Sequence, residues 1–159
     1  MKRLFIFGTG AHARKVYHCA AGSGYQVAAF VDENPAAVAP ISGERLLLVD
    51  DLPEPTAGDS LFVAIGRADV RQRLMAHWGG RGWTLPALVH AGACVAPDAQ
   101  LGEGVLVAAG AVVETAAVIG RGVIVDIGVL VDHECEVGAF CHLRPGEVLS
   151  PRTHLAAVA

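Results

Sequence analysis

Twelve aliphatic residues stand six apart without a break: Val89, Val95, Leu101, Val107, Val113, Ile119, Val125, Val131, Val137, Leu143, Leu149 and Leu155. A helix repeats every 3.6 residues and a strand every two, so neither alone generates a period of six. The position four residues after the aliphatic is small at Ala93, Ala99, Ala111, Ala117, Cys135 and Cys141. One branched and one small inward residue per hexad suit a narrow triangular prism built from three short strands per coil. Gly102, Gly120 and Gly138 each follow a repeat aliphatic and stand eighteen residues apart. Three hexads therefore make one coil, and glycine at one corner implies a tight backbone turn there. The pattern predicts a hexapeptide-repeat solenoid, a left-handed parallel β-helix, over residues 85–159, with about four coils and the last one incomplete. Repetition by itself carries no chemistry, so function has to come from residues that break the repeat.

The first half has a different grammar. Residues 3–7 read as a strand that runs into Gly8-Thr9-Gly10-Ala11-His12-Ala13, after which residues 14–21 continue as a helix. A second strand over residues 27–31 ends in Asp32, and Asn34-Pro35 breaks the chain behind it. Residues 46–49 and 61–65 supply further short strands, the last ending at Gly66 before a helix over residues 68–77. Alternating β and α elements of this length predict a small Rossmann-like parallel sheet in residues 1–84, with ligands at the carboxyl ends of its strands. Gly8, Gly10, His12, Asp32, Gly66 and Arg67 all fall at that edge. The glycine turn fits a phosphate on a helix N-terminus, with Asp32 accepting from a ribose or base, and equally a plain strand-to-helix turn. His12 likewise fits a ligand contact or a helix-start residue bonded to backbone.

A formal charge of −4, with no dense basic run, argues against a nucleic-acid or anionic membrane surface and points to a small-molecule partner. No apolar run approaches the roughly 20 residues a spanning helix needs, so a cytoplasmic location is expected. Cys19, Cys94, Cys135 and Cys141 have no CxxC spacing; they read as free, buried thiols, and no metal site is expected.

Together the two halves resemble the bacterial sugar acetyltransferases of the NeuD/PglD type, which modify sialic acids or nucleotide-linked amino sugars. The resemblance is carried by Phe5-Ile6-Phe7-Gly8-Thr9-Gly10-Ala11-His12, by Val31-Asp32, by Ala64-Ile65-Gly66 followed by Arg71, and most specifically by Val131-Asp132-His133-Glu134-Cys135-Glu136-Val137-Gly138 with His142 nine residues after His133. It implies a nucleotide-sugar-binding α/β domain followed by a trimerising β-helix, with acetyl-CoA as co-substrate and a UDP-sugar or sialic-acid-type acceptor. His133 would be the general base, Glu134 its support and His142 a contact to acetyl-CoA. Gly8, Gly10, Ala11, His12, Asp32, Gly66, Arg67 and Arg71 would hold the acceptor.

His133 is the third residue of its hexad, so it points outward while Val131 and Cys135 fill the interior. A neighbouring carboxylate suits a base that takes a proton during acyl transfer. The sequence departs from the family pattern at its end, where members run several coils further. It departs also at Pro151, eighteen residues after His133, where the family has a glycine N–H and proline has none. Two other readings therefore stand beside the acetyltransferase: a nucleotide-sugar-binding trimer without acetyl transfer, and a dinucleotide-binding redox module on a solenoid.

Overall fold

In the computed structural model, which describes residues 2–159, the first apolar run becomes the centre of a parallel sheet. β1 (Lys2–Phe7) is paired on both sides, with β2 (Tyr25–Asp32) and β4 (Asp59–Val63), and β3 (Leu46–Leu48) lies outside β2, giving the order β3-β2-β1-β4. All neighbours are parallel. A strand covered on both faces needs a continuous apolar run, and Leu4-Phe5-Ile6-Phe7 supplies it, every residue buried. The last predicted strand ends at Val63 rather than residue 65: Ala64 still donates to the Phe7 carbonyl at 2.8 Å, and the chain then peels away. Val49 leaves β3 to open a 3-10 turn, Val49–Asp51.

The helices α1 (Ala11–Gly22) and α2 (Ala68–Gly80) bury helical-period faces, Ala13, Val16, Cys19 and Ala20 on one and Arg71, Leu74, Met75 and Trp78 on the other. Burial pushes the Cys19 thiol up to about 11, which makes it an inert packing group; Cys135 and Cys141 are buried as expected, but Cys94 is exposed because it is the outward residue of its strand. At the amino end of the sheet Arg3 grips Asp59 with two bonds of 2.7 and 2.8 Å, while Thr56 donates to the same carboxylate through its N–H and hydroxyl. The Arg3 guanidinium and the Thr56 donors together hold the Asp59 carboxyl well below the usual carboxylate range.

The chain divides into two compact units, one ending at Pro86 and the other beginning at Ala87. The second unit is the left-handed β-helix. Leu88–Val89, Leu106–Val107, Ile124–Val125 and His142–Leu143 stack as one parallel sheet. Cys94–Val95, Val112–Val113, Leu130–Val131 and Val148–Leu149 form the second. Gln100–Leu101, Val118–Ile119, Glu136–Val137 and His154–Leu155 form the third. The second residue of every strand is the repeat aliphatic, which points inward. Val107 through Leu143 of that series are at most 3% exposed, and the small residues Ala111, Ala117 and Cys135 fill the space between them.

The corner glycines need a different explanation from the tight turn expected of them. None of Gly102, Gly120 and Gly138 has a positive φ. A Cβ on Gly120 would lie 2.7 Å from the Ala139 nitrogen and 2.8 Å from the Val137 oxygen, both backbone atoms of the next coil, and Gly102 meets Arg121 in the same way. Glycine stands there because successive coils approach too closely for a side chain. The left-handed turns lie elsewhere, once per hexad, at Gly104, Gly110, Ala116, Gly122, Gly128, Glu134, Phe140, Gly146 and Arg152, with φ between 56° and 73°. Four of those nine are not glycine, although an L side chain there costs roughly 1–2 kcal/mol.

Candidate active site

The carboxyl edge of the first unit brings Gly8, Asp32 and the segment 64–66 side by side, because Phe7 pairs with Val31 on one side and Val63 on the other. Gly8 has φ 114°, and a Cβ on it would press on the Ala64 oxygen and the Ile65 side chain at 3.0 Å, so no other residue fits. Gly10, by contrast, N-caps α1 in an extended conformation with open space where its Cβ would be, and no side chain caps the helix. A helix start with no side-chain cap and clear approach is the setting a phosphate requires, and the Ala13 N–H there donates to the Gly10 carbonyl at 3.0 Å. Ala11 and His12 occupy the first turn of α1. The Asp32 carboxylate accepts from the Thr9 hydroxyl at 2.5 Å and from the Asn34 N–H at 2.9 Å, which aims it across the glycine turn.

The two arginines differ sharply. Arg67 is exposed at the start of α2 and forks onto Asp69 at 3.2 and 2.7 Å. Arg71 is 1% exposed, and its Nη1 donates to the carbonyls of Ile65 and Gly66 at 2.9 and 2.8 Å. It therefore shapes the loop from within. Away from this edge, a hollow of about 280 Å³ between α2 and the 3-10 turn is lined by Trp78 and Trp83 and bordered by the Arg81–Glu54 ion pair.

On the β-helix, His133 and Glu134 form a corner between Leu130–Val131 and Glu136–Val137. His133 stands outward, its side chain 38% exposed, and its Nδ1 lies 2.9 Å from Glu134 Oε2. That contact places a proton on Nδ1 and leaves the Nε2 lone pair outward, the tautomer a base needs. The His133 N–H donates to Asp132 Oδ1 at 2.7 Å, which fixes the backbone beneath the ring. Glu134 holds φ 56°, a left-handed conformation uncommon for an L side chain. Beside it Val112, Leu130 and Val148 floor a shallow hollow of about 290 Å³ rimmed by Glu114 and Asp132.

His142 opens a strand on another face, and its Nε2 lies 3.0 Å from Asp126 Oδ2, a carboxylate only 5% exposed. Sequence reasoning missed Asp126. Its signal was the repeated Val125-Asp126 and Val131-Asp132, since Asp126 Oδ1 accepts from the next N–H just as Asp132 does. The corner one coil beyond His133 is Pro151-Arg152, where proline has no N–H and that of Arg152 is donated to the His133 carbonyl at 3.0 Å. Among the described residues no group of three or more His, Cys, Asp or Glu side chains gathers in a way that could hold a metal ion.

A parallel α/β unit followed by a β-helix with a histidine–carboxylate corner defines the class of two-part hexapeptide-repeat acyltransferases. The sequence model of the PglD N-terminal domain matches residues 3–77. The structure of PerB from Caulobacter crescentus, in complex with CoA and GDP-perosamine, is 38% identical over 93% of this chain and 71% of its own, with a TM-score of 0.81. A histidine-to-asparagine variant of perosamine N-acetyltransferase from the same organism is 36% identical over 96% and 72%, with a TM-score of 0.84. The acetyltransferase domain of PglB from Neisseria gonorrhoeae, in complex with acetyl coenzyme A, is 30% identical over 97% and 76%, with a TM-score of 0.85. The chain belongs to the NeuD/PglD-type sugar acetyltransferase family.

Proposed function

We propose that this protein transfers the acetyl group of acetyl-CoA to the amine of a nucleotide-linked amino sugar, with His133 as general base. The observation that carries this is the His133–Glu134 pair, which leaves Nε2 as an outward proton acceptor on a β-helix of this family. The amine nitrogen attacks the thioester carbonyl carbon while Nε2 takes a proton from it. The carbon–sulfur bond then breaks, and the proton leaves with the thiol of CoA. Glu134 accepts from Nδ1–H throughout, holding the ring and stabilising the imidazolium.

The acceptor's diphosphate rests at the start of α1 beside Gly8, Gly10, Ala11 and His12. Asp32 accepts from the ribose or base, Arg67 supplies charge, and Arg71 keeps the loop at Gly66 in place. His142, held by Asp126, lies on the acetyl-CoA side. Exposed Ile127, Leu130 and Val148, at 45, 44 and 63% exposure, form the face through which three copies assemble.

The test is thiol release from acetyl-CoA with GDP- and UDP-linked amino sugars. Loss of a general base typically costs about 10²- to 10⁴-fold, so His133→Ala should slow transfer by that factor and leave nucleotide-sugar affinity nearly unchanged. Full activity in the variant would overturn the base. Nucleotide-sugar binding with no thiol release in the unmutated chain would favour a binding protein.

A further inference from the structure

We propose that Arg152 is a positioning residue for the transfer reaction, holding the Glu134 carboxylate on the His133 ring from the next coil. This role rests on His133 being the base. Coil stacking sets the juxtaposition: Arg152 follows Glu134 by eighteen residues on one corner, and its N–H donates to the His133 carbonyl at 3.0 Å. Its Nη1 lies 4.0 Å from Glu134 Oε2, the oxygen that also takes His133 Nδ1 at 2.9 Å.

The pair is exposed, at 70 and 52% for the two side chains, and its register on the corner is what brings the charges together. Both residues are left-handed, at φ 56° and 59°, as is Ala116 at φ 57° one coil earlier on the same corner, whereas the corner column of Gly110, Gly128 and Gly146 is glycine throughout. This corner accepts side chains at a left-handed backbone position on three successive coils, and at 134 and 152 they are a carboxylate and a guanidinium that face each other. A carboxylate bonded only to its sequence neighbour, and half exposed, has rotamers that swing into water. A cation whose backbone is tied to the His133 carbonyl one coil away biases it back onto the ring, by the modest amount an exposed pair supplies. The other charges at this corner are Asp132 beneath the His133 N–H, Glu114 one coil before it and bonded by the Thr115 N–H, Asp98 bonded to the Thr115 hydroxyl, and the Glu136–His154 pair on the adjoining strands.

The experiment is a double-mutant cycle on the full chain, with thiol release as readout. Arg152→Met should lower kcat/KM about two- to five-fold, Arg152→Lys should recover part of it, and Arg152→Met should add nothing to Glu134→Gln. Removing the cation also favours the imidazolium, so the acid limb of the rate profile should move to higher pH by a few tenths of a unit. No effect of Arg152→Met, or an equal effect in both backgrounds with an unmoved pH profile, would overturn the role, the latter being what a merely destabilised corner produces. Full activity of His133→Ala would remove the base and Arg152's role together. Loss in His133→Ala with independent Arg152 and Glu134 effects would remove Arg152 alone.

Discussion

Replacing Gly120 by alanine tests whether close approach of coils, rather than turning, dictates the eighteen-residue glycine column. The added Cβ would sit 2.7 Å from the Ala139 nitrogen and 2.8 Å from the Val137 oxygen, and those atoms cannot swing aside as a side-chain tip can. The upper coil has to lift by roughly half an ångström, an overpacking that costs about 1–3 kcal/mol. The same shift strains the Gly120 N–H to Val137 bond, now 2.8 Å, at about 1 kcal/mol more. The expected loss is therefore about 2–4 kcal/mol. Gly128→Ala is the control: it turns left-handed at φ 64° but has open space around it. Its cost of roughly 1–2 kcal/mol is partly offset by the restricted unfolded chain, leaving about 1 kcal/mol. Urea unfolding at one fixed protein concentration separates the two, since with a slope of about 2 kcal/mol/M the midpoint should fall by about 1–2 M for Gly120→Ala and about 0.5 M for Gly128→Ala. An equal or smaller loss for Gly120→Ala would refute the close-approach reasoning.

The buried Asp59 has its folded titration depressed, so its contribution to stability is complete above about pH 4 and is lost as pH falls through the folded value. Asp59→Asn should lower stability at neutral pH and flatten the acid dependence, as followed by thermal melts between pH 7 and pH 2; an unchanged acid slope would contradict it. Leu130→Asp should break assembly by placing a charge on the exposed apolar face of the β-helix. Sedimentation at micromolar concentration checks this, and a stable monomer in the unmutated chain would discard the trimer.

The interior of the β-helix is legible because a prism this narrow accepts few side chains, and the period of six survives wherever packing alone decides. The strand-turn-helix at Gly8 is legible for a similar reason, since only glycine fits against Ala64 and Ile65. The corners are harder. Gly104, Gly110, Gly122, Gly128 and Gly146 mark the left-handed column at multiples of six, but Ala116, Glu134, Phe140 and Arg152 interrupt it, and the pattern dissolves into scattered glycines. Gly102, Gly120 and Gly138 mislead for the opposite reason: a tight turn and a close approach call for the same residue, and only the third dimension tells them apart. His133 and Glu134 are found because they are adjacent, whereas Asp126 and His142 stand sixteen apart and meet only through the stacking of coils. Local preference asks for glycine at positions 134 and 152, and the chain keeps a carboxylate and a guanidinium there instead. Glycine is replaced three times on that corner, at 116, 134 and 152, and the two replacements nearest His133 are the charged pair that meets its ring and its carbonyl, which chemistry explains better than folding.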